Sequence, residues 1–150
     1  MFERILIATD GSRHSERAAK AGIEMARLYG STVTVLFVVD ISKEYAPLVD
    51  LISKVADDLI AGIRSDLQNQ GEQATKRVEE MAKNAGIAVT RKITEGYPAD
   101  DIIRIAREGD MSLTVMGGIG ATGLERFLLG SVADKVVHSS KIPVLVVRKE

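Results

Sequence analysis

Apolar residues along the chain gather into five short runs. Four of these runs are rich in β-branched residues and nearly continuous in apolar character, and they span residues 4–10, 32–40, 112–118 and 143–149. Continuous apolar runs are typical of parallel strands that are covered on both faces. The fifth run, residues 87–96, alternates apolar and polar positions, which predicts a strand at or near the edge of a sheet.

Helical patterns fill the intervals between the first three strands. Ser12 and Ser15 are candidate N-caps of a first helix that Gly30 ends. From Pro47 onward, apolar residues three or four positions apart predict a second helical region. Residues 69–71 (Asn-Gln-Gly) interrupt this apolar stripe, and a second stripe follows from Ala74 to Ala85.

Two further helices complete the pattern. Pro98 is expected just inside the third helix, and Ser131 is expected to begin the last one, with Asp134 three residues on as an approximate capping box. Strands and helices therefore alternate along the whole chain. This order predicts an α/β fold, with an open parallel five-stranded sheet and helices on both faces.

Composition narrows the class of protein. The chain has 150 residues, 45% apolar and 27% charged, which predicts one domain over residues 1–150. Its net charge of −1 argues against nucleic acid or an anionic membrane as the main partner. The absence of cysteine excludes thiolate chemistry and fits a reducing cytoplasm, and we find neither a signal peptide nor a membrane-spanning run.

The turn after the first strand excludes two common nucleotide-binding motifs. It reads TDGSRHS, with one glycine and an acidic residue, whereas a dinucleotide-binding turn carries G-x-G-x-x-G. No G-x-x-x-x-G-K-[ST] occurs anywhere in the chain. Dinucleotide-binding and P-loop interpretations are therefore rejected.

Glycines gather instead after the fourth strand, in the spacing Gly117-x2-Gly120-x9-Gly130-Ser131. Glycine lets backbone amides approach an anion, and a helix that begins at Ser131 would present free N–H groups there. Asp10, at the end of the first strand, is a candidate acceptor for ribose hydroxyls. These residues fit a mononucleotide site, but the residue types alone also fit glycines that only form a turn and a serine that only caps a helix.

Five strings spread over the chain can be compared with known families: RILIATDGS (4–12), VVD (38–40), GYPADDI (96–102), VMGGIGATGLERFLLGSVADKVV (115–137) and PVLVV (143–147). Together they resemble the universal stress protein family. The glycine spacing is similar to that of the family's ATP-binding branch. The resemblance covers the chain from end to end and implies a Rossmann-like sheet of strand order 3-2-1-4-5.

The resemblance also implies roles for individual residues. Asp10 would hold the ribose, Ala8 and Thr9 would shape the wall beside it, and Val39 would meet the adenine through its backbone. The crevice and the phosphate contacts would come from the residues around the glycine motif: Met116, Gly117, Gly120, Gly130, Ser131 and Val132. Arg126, in the same loop, is a further candidate for a terminal phosphate. We find no candidate metal ligands, and His14 and His138 are expected at the surface.

These observations favour an ATP-binding regulatory protein of the stress response, holding ATP, ADP or AMP with or without Mg²⁺ or Mn²⁺. One alternative is a slow ATPase or an adenylyl-transfer enzyme, although no residue is placed as an evident base. Another is a dimeric interaction module that binds no nucleotide. In each case a homodimer joined through the last strand (143–149) is expected, because its apolar edge lacks protective charge and the family resemblance implies the same contact.

Overall fold

The apolar runs form the strands of one parallel sheet in the computed structural model, which describes residues 1–41, 53–119 and 129–148. Four helices lie between the strands. In chain order the elements are β1 (Arg4–Ala8), α1 (Arg13–Tyr29), β2 (Thr32–Asp40), α2 (Ser53–Asn84), β3 (Val89–Gly96), α3 (Pro98–Glu108), β4 (Leu113–Gly117), α4 (Ser131–Ser139) and β5 (Val144–Val147).

The strand order in the sheet is β3-β2-β1-β4-β5, with every neighbouring pair parallel. The predicted fold class and order are thus confirmed, and β3 lies at an edge as its alternating pattern indicated. The chain moves outward from β1 to β3 and then returns to β4 on the other side of β1. A crevice therefore opens between the carboxyl ends of β1 and β4, where the strand order reverses.

Apolar side chains cover both faces of the sheet. On one face, Ile5, Ile7 and Val115 pack against helices α1 and α2. On the other face, Leu6 and Met116 pack against α3 and α4. Because the central strands are buried on both sides, their apolar character is continuous rather than alternating.

The ends of the first and third helices follow the predicted local chemistry. Ser12 caps α1 by accepting a hydrogen bond from the Ser15 backbone N–H at 3.2 Å. Gly30 ends α1 in the left-handed conformation, with φ of 66°. Pro98 is the first residue of α3, where its missing N–H has no cost.

The two apolar stripes on either side of residues 69–71 belong to one helix, because α2 runs without interruption from Ser53 to Asn84. Gly71 lies against the Phe37 ring of β2, where a Cβ would be 2.7 Å from Cδ1 of that ring. Its carbonyl also accepts a hydrogen bond from the Thr75 hydroxyl at 2.8 Å. The glycine therefore provides room for an aromatic side chain instead of ending the helix.

The predicted capping box at the start of α4 is wrong. The N-cap is Gly130 and no side chain caps the helix, so Ser131 is its first helical residue. Of the predicted second helical region, residues 42–52 lie outside the described residues. No helix in the described ranges is both long and apolar enough to cross a membrane.

Candidate functional site

The turn between β1 and α1 forms one side of the crevice, and hydroxyl groups fix its shape. The Thr9 and Ser15 hydroxyls are 3.0 Å apart, and both residues are buried. The Gly11 N–H donates to the Thr9 hydroxyl at 3.2 Å, and Gly11 adopts φ of +80°, which favours glycine. The predicted wall residue Thr9 therefore anchors the turn that follows it.

Asp10 is exposed at the mouth of this turn. Its Oδ1 accepts a hydrogen bond from the Ser12 backbone N–H at 2.9 Å, which holds the carboxylate in one orientation. Neither oxygen of Asp10 takes part in an ion pair with any other described side chain. The carboxylate is thus oriented by the chain and has acceptor capacity left for a ligand.

Gly117 ends β4 directly against the first turn of α1. A Cβ at this position would lie 3.2 Å from the backbone carbonyl carbon of His14 and 3.4 Å from the Ser15 nitrogen. A larger residue would therefore push β4 and α1 apart. Gly117, the first glycine of the predicted motif, closes the base of the crevice beside the Asp10 turn.

Strand β2 extends past the end of β1 and contributes backbone groups above it. The Leu36 carbonyl accepts from the Thr9 N–H at 2.9 Å, whereas the Val33 N–H and the Ile41 N–H donate toward β3. Backbone groups alternate in direction along a strand. The groups of Val38 therefore face the crevice side, while those of Val39, the residue predicted to meet adenine, face β3.

Three of the helices begin near this edge of the sheet, and two of them are poorly suited to an anion. In the first turn of α1, the Ser12 side chain already takes one of the backbone donors, the Ser15 N–H. The first turn of α3 carries Asp100 and Asp101, whose charges oppose a bound anion. The Asp101 carboxylate also hydrogen-bonds Arg104 and so raises the pKa of that guanidinium.

The third, α4, has no side-chain cap and starts on a glycine. Gly130 itself donates its N–H to the Gly118 carbonyl at 2.7 Å, so this amide is already used. Ser131 is exposed and Val132 is half-buried just after it. Helix α4 therefore offers the most open set of N-terminal backbone donors among the helix starts described here.

The remaining predicted residues divide by location. Ala8 is buried at the end of β1, and Met116 is buried on the face covered by α3 and α4. Gly120 and Arg126 lie outside the described residues. His138 is exposed, and its Nδ1 donates to the Asp134 carbonyl at 2.9 Å, one turn back along α4.

Sequence reasoning missed part of the site. An open depression at the end of β1 is lined by Asp10, Gly11, Ser12, Arg13 and His14. His14, expected at the surface, is half-buried there. Nothing in the sequence separates Arg13 from an ordinary solvated arginine, so only its position identifies it. In the part of the chain that the structure describes, no cluster of three or more acidic or histidine side chains could hold a metal ion.

Comparison with known proteins gives a consistent result. The model of the universal stress protein family matches residues 1–148. Universal stress protein MJ0531 of Methanocaldococcus jannaschii is 40% identical over 149 residues, which cover 99% of this chain and 84% of that protein. Universal stress protein YxiE of Bacillus subtilis is 32% identical over 148 residues, covering 99% and 100%.

Solved structures share the whole fold. The structure of MJ0577 superposes with a TM-score of 0.74 at 27% identity, covering 100% of this chain and 98% of that one. A universal stress protein in complex with cAMP gives 0.69 at 23% identity, covering 98% and 97%. The universal stress protein of Archaeoglobus fulgidus in complex with dAMP gives a TM-score of 0.64 at 24% identity, covering 97% of this chain and 98% of that one.

Proposed function

Because the chain belongs to the universal stress protein family, we propose that it is a regulatory protein of the stress response that binds ATP. The nucleotide lies across the crevice between β1 and β4. The observation that carries this proposal is the contrast among the helix starts at the crevice. The Ser12 side chain caps α1 and the first turn of α3 carries two carboxylates, whereas α4 starts on a glycine without a side-chain cap at the end of the predicted motif.

The residues along the crevice suggest an order for the ligand. Asp10 accepts hydrogen bonds from the ribose hydroxyls through the capacity that Ser12 leaves free. The adenine lies over the end of β2, within reach of the Val38 backbone groups. The phosphates reach the amides of Ser131 and Val132, with Gly117 and Gly120 allowing close approach. Two proteins with this fold hold cAMP and dAMP, which supports an adenine nucleotide as the ligand class.

We propose binding, and not turnover, as the main activity. Hydrolysis needs an oriented water and a base near the terminal phosphate. The carboxylate at the crevice, Asp10, belongs to the ribose end of the proposed arrangement. Mg²⁺ or Mn²⁺ would enter with the nucleotide, held by its phosphate oxygens, which are ligands that these ions favour. A chain without cysteine fits the reducing cytoplasm as the place of action.

The second part of the proposal is a homodimer through β5. The Thr114 N–H donates to the Pro143 carbonyl and the Gly118 N–H to the Val147 carbonyl, so odd-numbered residues of this segment face β4. The backbone groups of Val144 and Val146 therefore point to the outer edge. No described segment pairs with that edge. An antiparallel copy of β5 across a two-fold axis would satisfy both rows.

The ligand proposal is tested first on the protein as purified. The whole chain is expressed, denatured, and its released small molecules are identified by mass spectrometry; we expect an adenine nucleotide. Protein stripped of ligand is then titrated with ATP and with GTP by calorimetry. We expect saturable ATP binding at a stoichiometry of about one per chain and at least tenfold weaker GTP binding. No heat and no thermal stabilisation with any adenine nucleotide would contradict the proposal.

A further inference from the structure

Arg13 is a cation at the crevice that forms no ion pair with any of the described side chains. Arg13 lines the depression beside Asp10 and is exposed. In the part of the chain that is described, no carboxylate forms an ion pair with Arg13, whereas Glu16 on the same helix pairs with Lys20. Its charge is therefore available to a ligand.

The position of Arg13 relates it to the proposed phosphate end of the site. It is the first residue of α1, and the next residue, His14, has its backbone in contact range of Gly117. Gly117 begins the glycine motif that leads to α4. Arg13 thus lies on the side of the Asp10 turn where β4 and its loop begin.

Part of the backbone at this helix start is already used. The Ser12 side chain accepts from the Ser15 N–H, and the Ser12 N–H donates to Asp10. A charged side chain would therefore strengthen the recognition of an anion at this side of the crevice. Arginine suits it because the planar guanidinium stays charged and pairs with two phosphate oxygens at once.

We propose that Arg13 binds the phosphate chain of the nucleotide and favours di- and triphosphates over the monophosphate and the nucleoside. This inference rests on the proposed function, since it assigns a specificity residue to the same site. Asp10 and Arg13 then divide the ligand between them. The carboxylate recognises the sugar, which adenosine, AMP and ATP share, and the guanidinium recognises the part in which they differ.

The experiment compares wild type with Arg13→Gln, Arg13→Lys and Arg17→Gln in calorimetric titrations with adenosine, AMP, ADP and ATP. Arg17 is the matched control, because it lies one turn further along α1, is exposed, and does not line the depression. We expect Arg13→Gln to weaken ATP at least tenfold while adenosine changes less than twofold. Arg13→Lys should lose less ATP affinity than Arg13→Gln. Arg17→Gln should bind all four ligands as tightly as wild type does.

The outcomes separate the two proposals. If wild type binds ATP and Arg13→Gln binds it equally well, or weakens ATP and adenosine by the same factor, the role of Arg13 is overturned while nucleotide binding remains. Equal effects of Arg13→Gln and Arg17→Gln would also overturn it, since they would indicate general charge attraction. If wild type binds none of the four ligands, the proposed function itself fails. Thermal unfolding of each variant verifies that all of them are folded.

Discussion

Replacement of Asp10 tests the sugar end of the site directly. The Oδ1 atom accepts the Ser12 N–H at 2.9 Å, so the carboxylate is held in place before a ligand arrives. A hydrogen bond to a charged group contributes about 1.5–3 kcal/mol. Asp10→Ala should therefore weaken adenosine, AMP and ATP alike, by about 10- to 150-fold at 25 °C. Because Asp10 is exposed, we expect the free energy of unfolding to change by no more than about 1 kcal/mol.

The ligand side of the same contact provides a second measurement. Calorimetry is run on wild type and Asp10→Ala, each with AMP and with its 2′-deoxy and 3′-deoxy analogues. If the carboxylate accepts hydrogen bonds from the two hydroxyls, Asp10→Ala lowers the affinity for a deoxy ligand less than the affinity for AMP. The double-mutant cycle then gives a coupling energy of at least about 0.5 kcal/mol. The affinity of Asp10→Asn for AMP should lie between those of wild type and Asp10→Ala, because its amide oxygen still accepts from the Ser12 N–H but carries no full charge.

Two results would refute this reasoning. Unchanged AMP affinity in a folded Asp10→Ala protein would remove Asp10 from the binding site. A variant that loses ATP but keeps adenosine would move Asp10 to the phosphate end, where a carboxylate acts through a metal ion or as a base.

Three further predictions concern the glycines and the edge strand. Gly130→Val should lower ATP affinity at least tenfold, about 1.4 kcal/mol, and the protein should stay folded because φ of −61° and ψ of 158° suit any residue; unchanged affinity would contradict the phosphate assignment. Within α2, Gly71→Ala should lower the free energy of unfolding in urea by about 1–3 kcal/mol, because the added methyl group overpacks the core. Gly62→Ala should raise it by up to about 1 kcal/mol, because nothing lies within 4 Å of a Cβ there. Changes of the same sign in the two variants would contradict the packing argument. Val146→Pro should shift the sedimentation equilibrium toward monomer without unfolding the sheet. Leu145→Pro is its control and should destabilise the fold, because the Leu145 N–H faces β4. A native protein that sediments at 16.2 kDa at all micromolar concentrations would contradict the dimer.

The sheet could be predicted from sequence because its physical cause is local. Burial on both faces makes β1, β2 and β4 nearly continuous in apolar character, whereas the edge strand β3 is largely exposed or half-buried and is mostly polar. The continuity of α2 could not be predicted in this way. In the sequence, Gly71 is typical of a residue that interrupts a helix. In the fold it makes room for the Phe37 ring, which is distant in the chain and becomes a neighbour only after folding.

The site divides along the same line. Asp10 and Gly117 are candidates because of their places at the ends of strands, since the carboxyl edge of a parallel sheet follows from the order of elements. The direction of the Val38 and Val39 backbone groups could not be predicted, because a shift of one residue reverses it and it depends on how β2 pairs with its neighbours. Arg13 could not be singled out either, because its place in the depression and its lack of an ion pair with the other described side chains are properties of the folded chain.

The proposed anion end and the proposed dimer edge are joined by two backbone hydrogen bonds. The Gly130 N–H donates to the Gly118 carbonyl at 2.7 Å, and the Gly118 N–H donates to the Val147 carbonyl at 3.1 Å. Gly118 lies close to β5, since a Cβ there would be 3.2 Å from the Val146 side chain. If nucleotide binding changes the pairing of β5 with a second copy, linkage requires that this pairing changes nucleotide affinity by the same factor. Titrations with ATP at protein concentrations below and above the dimer dissociation constant measure that factor, and equal affinities would show that the two proposed sites are independent.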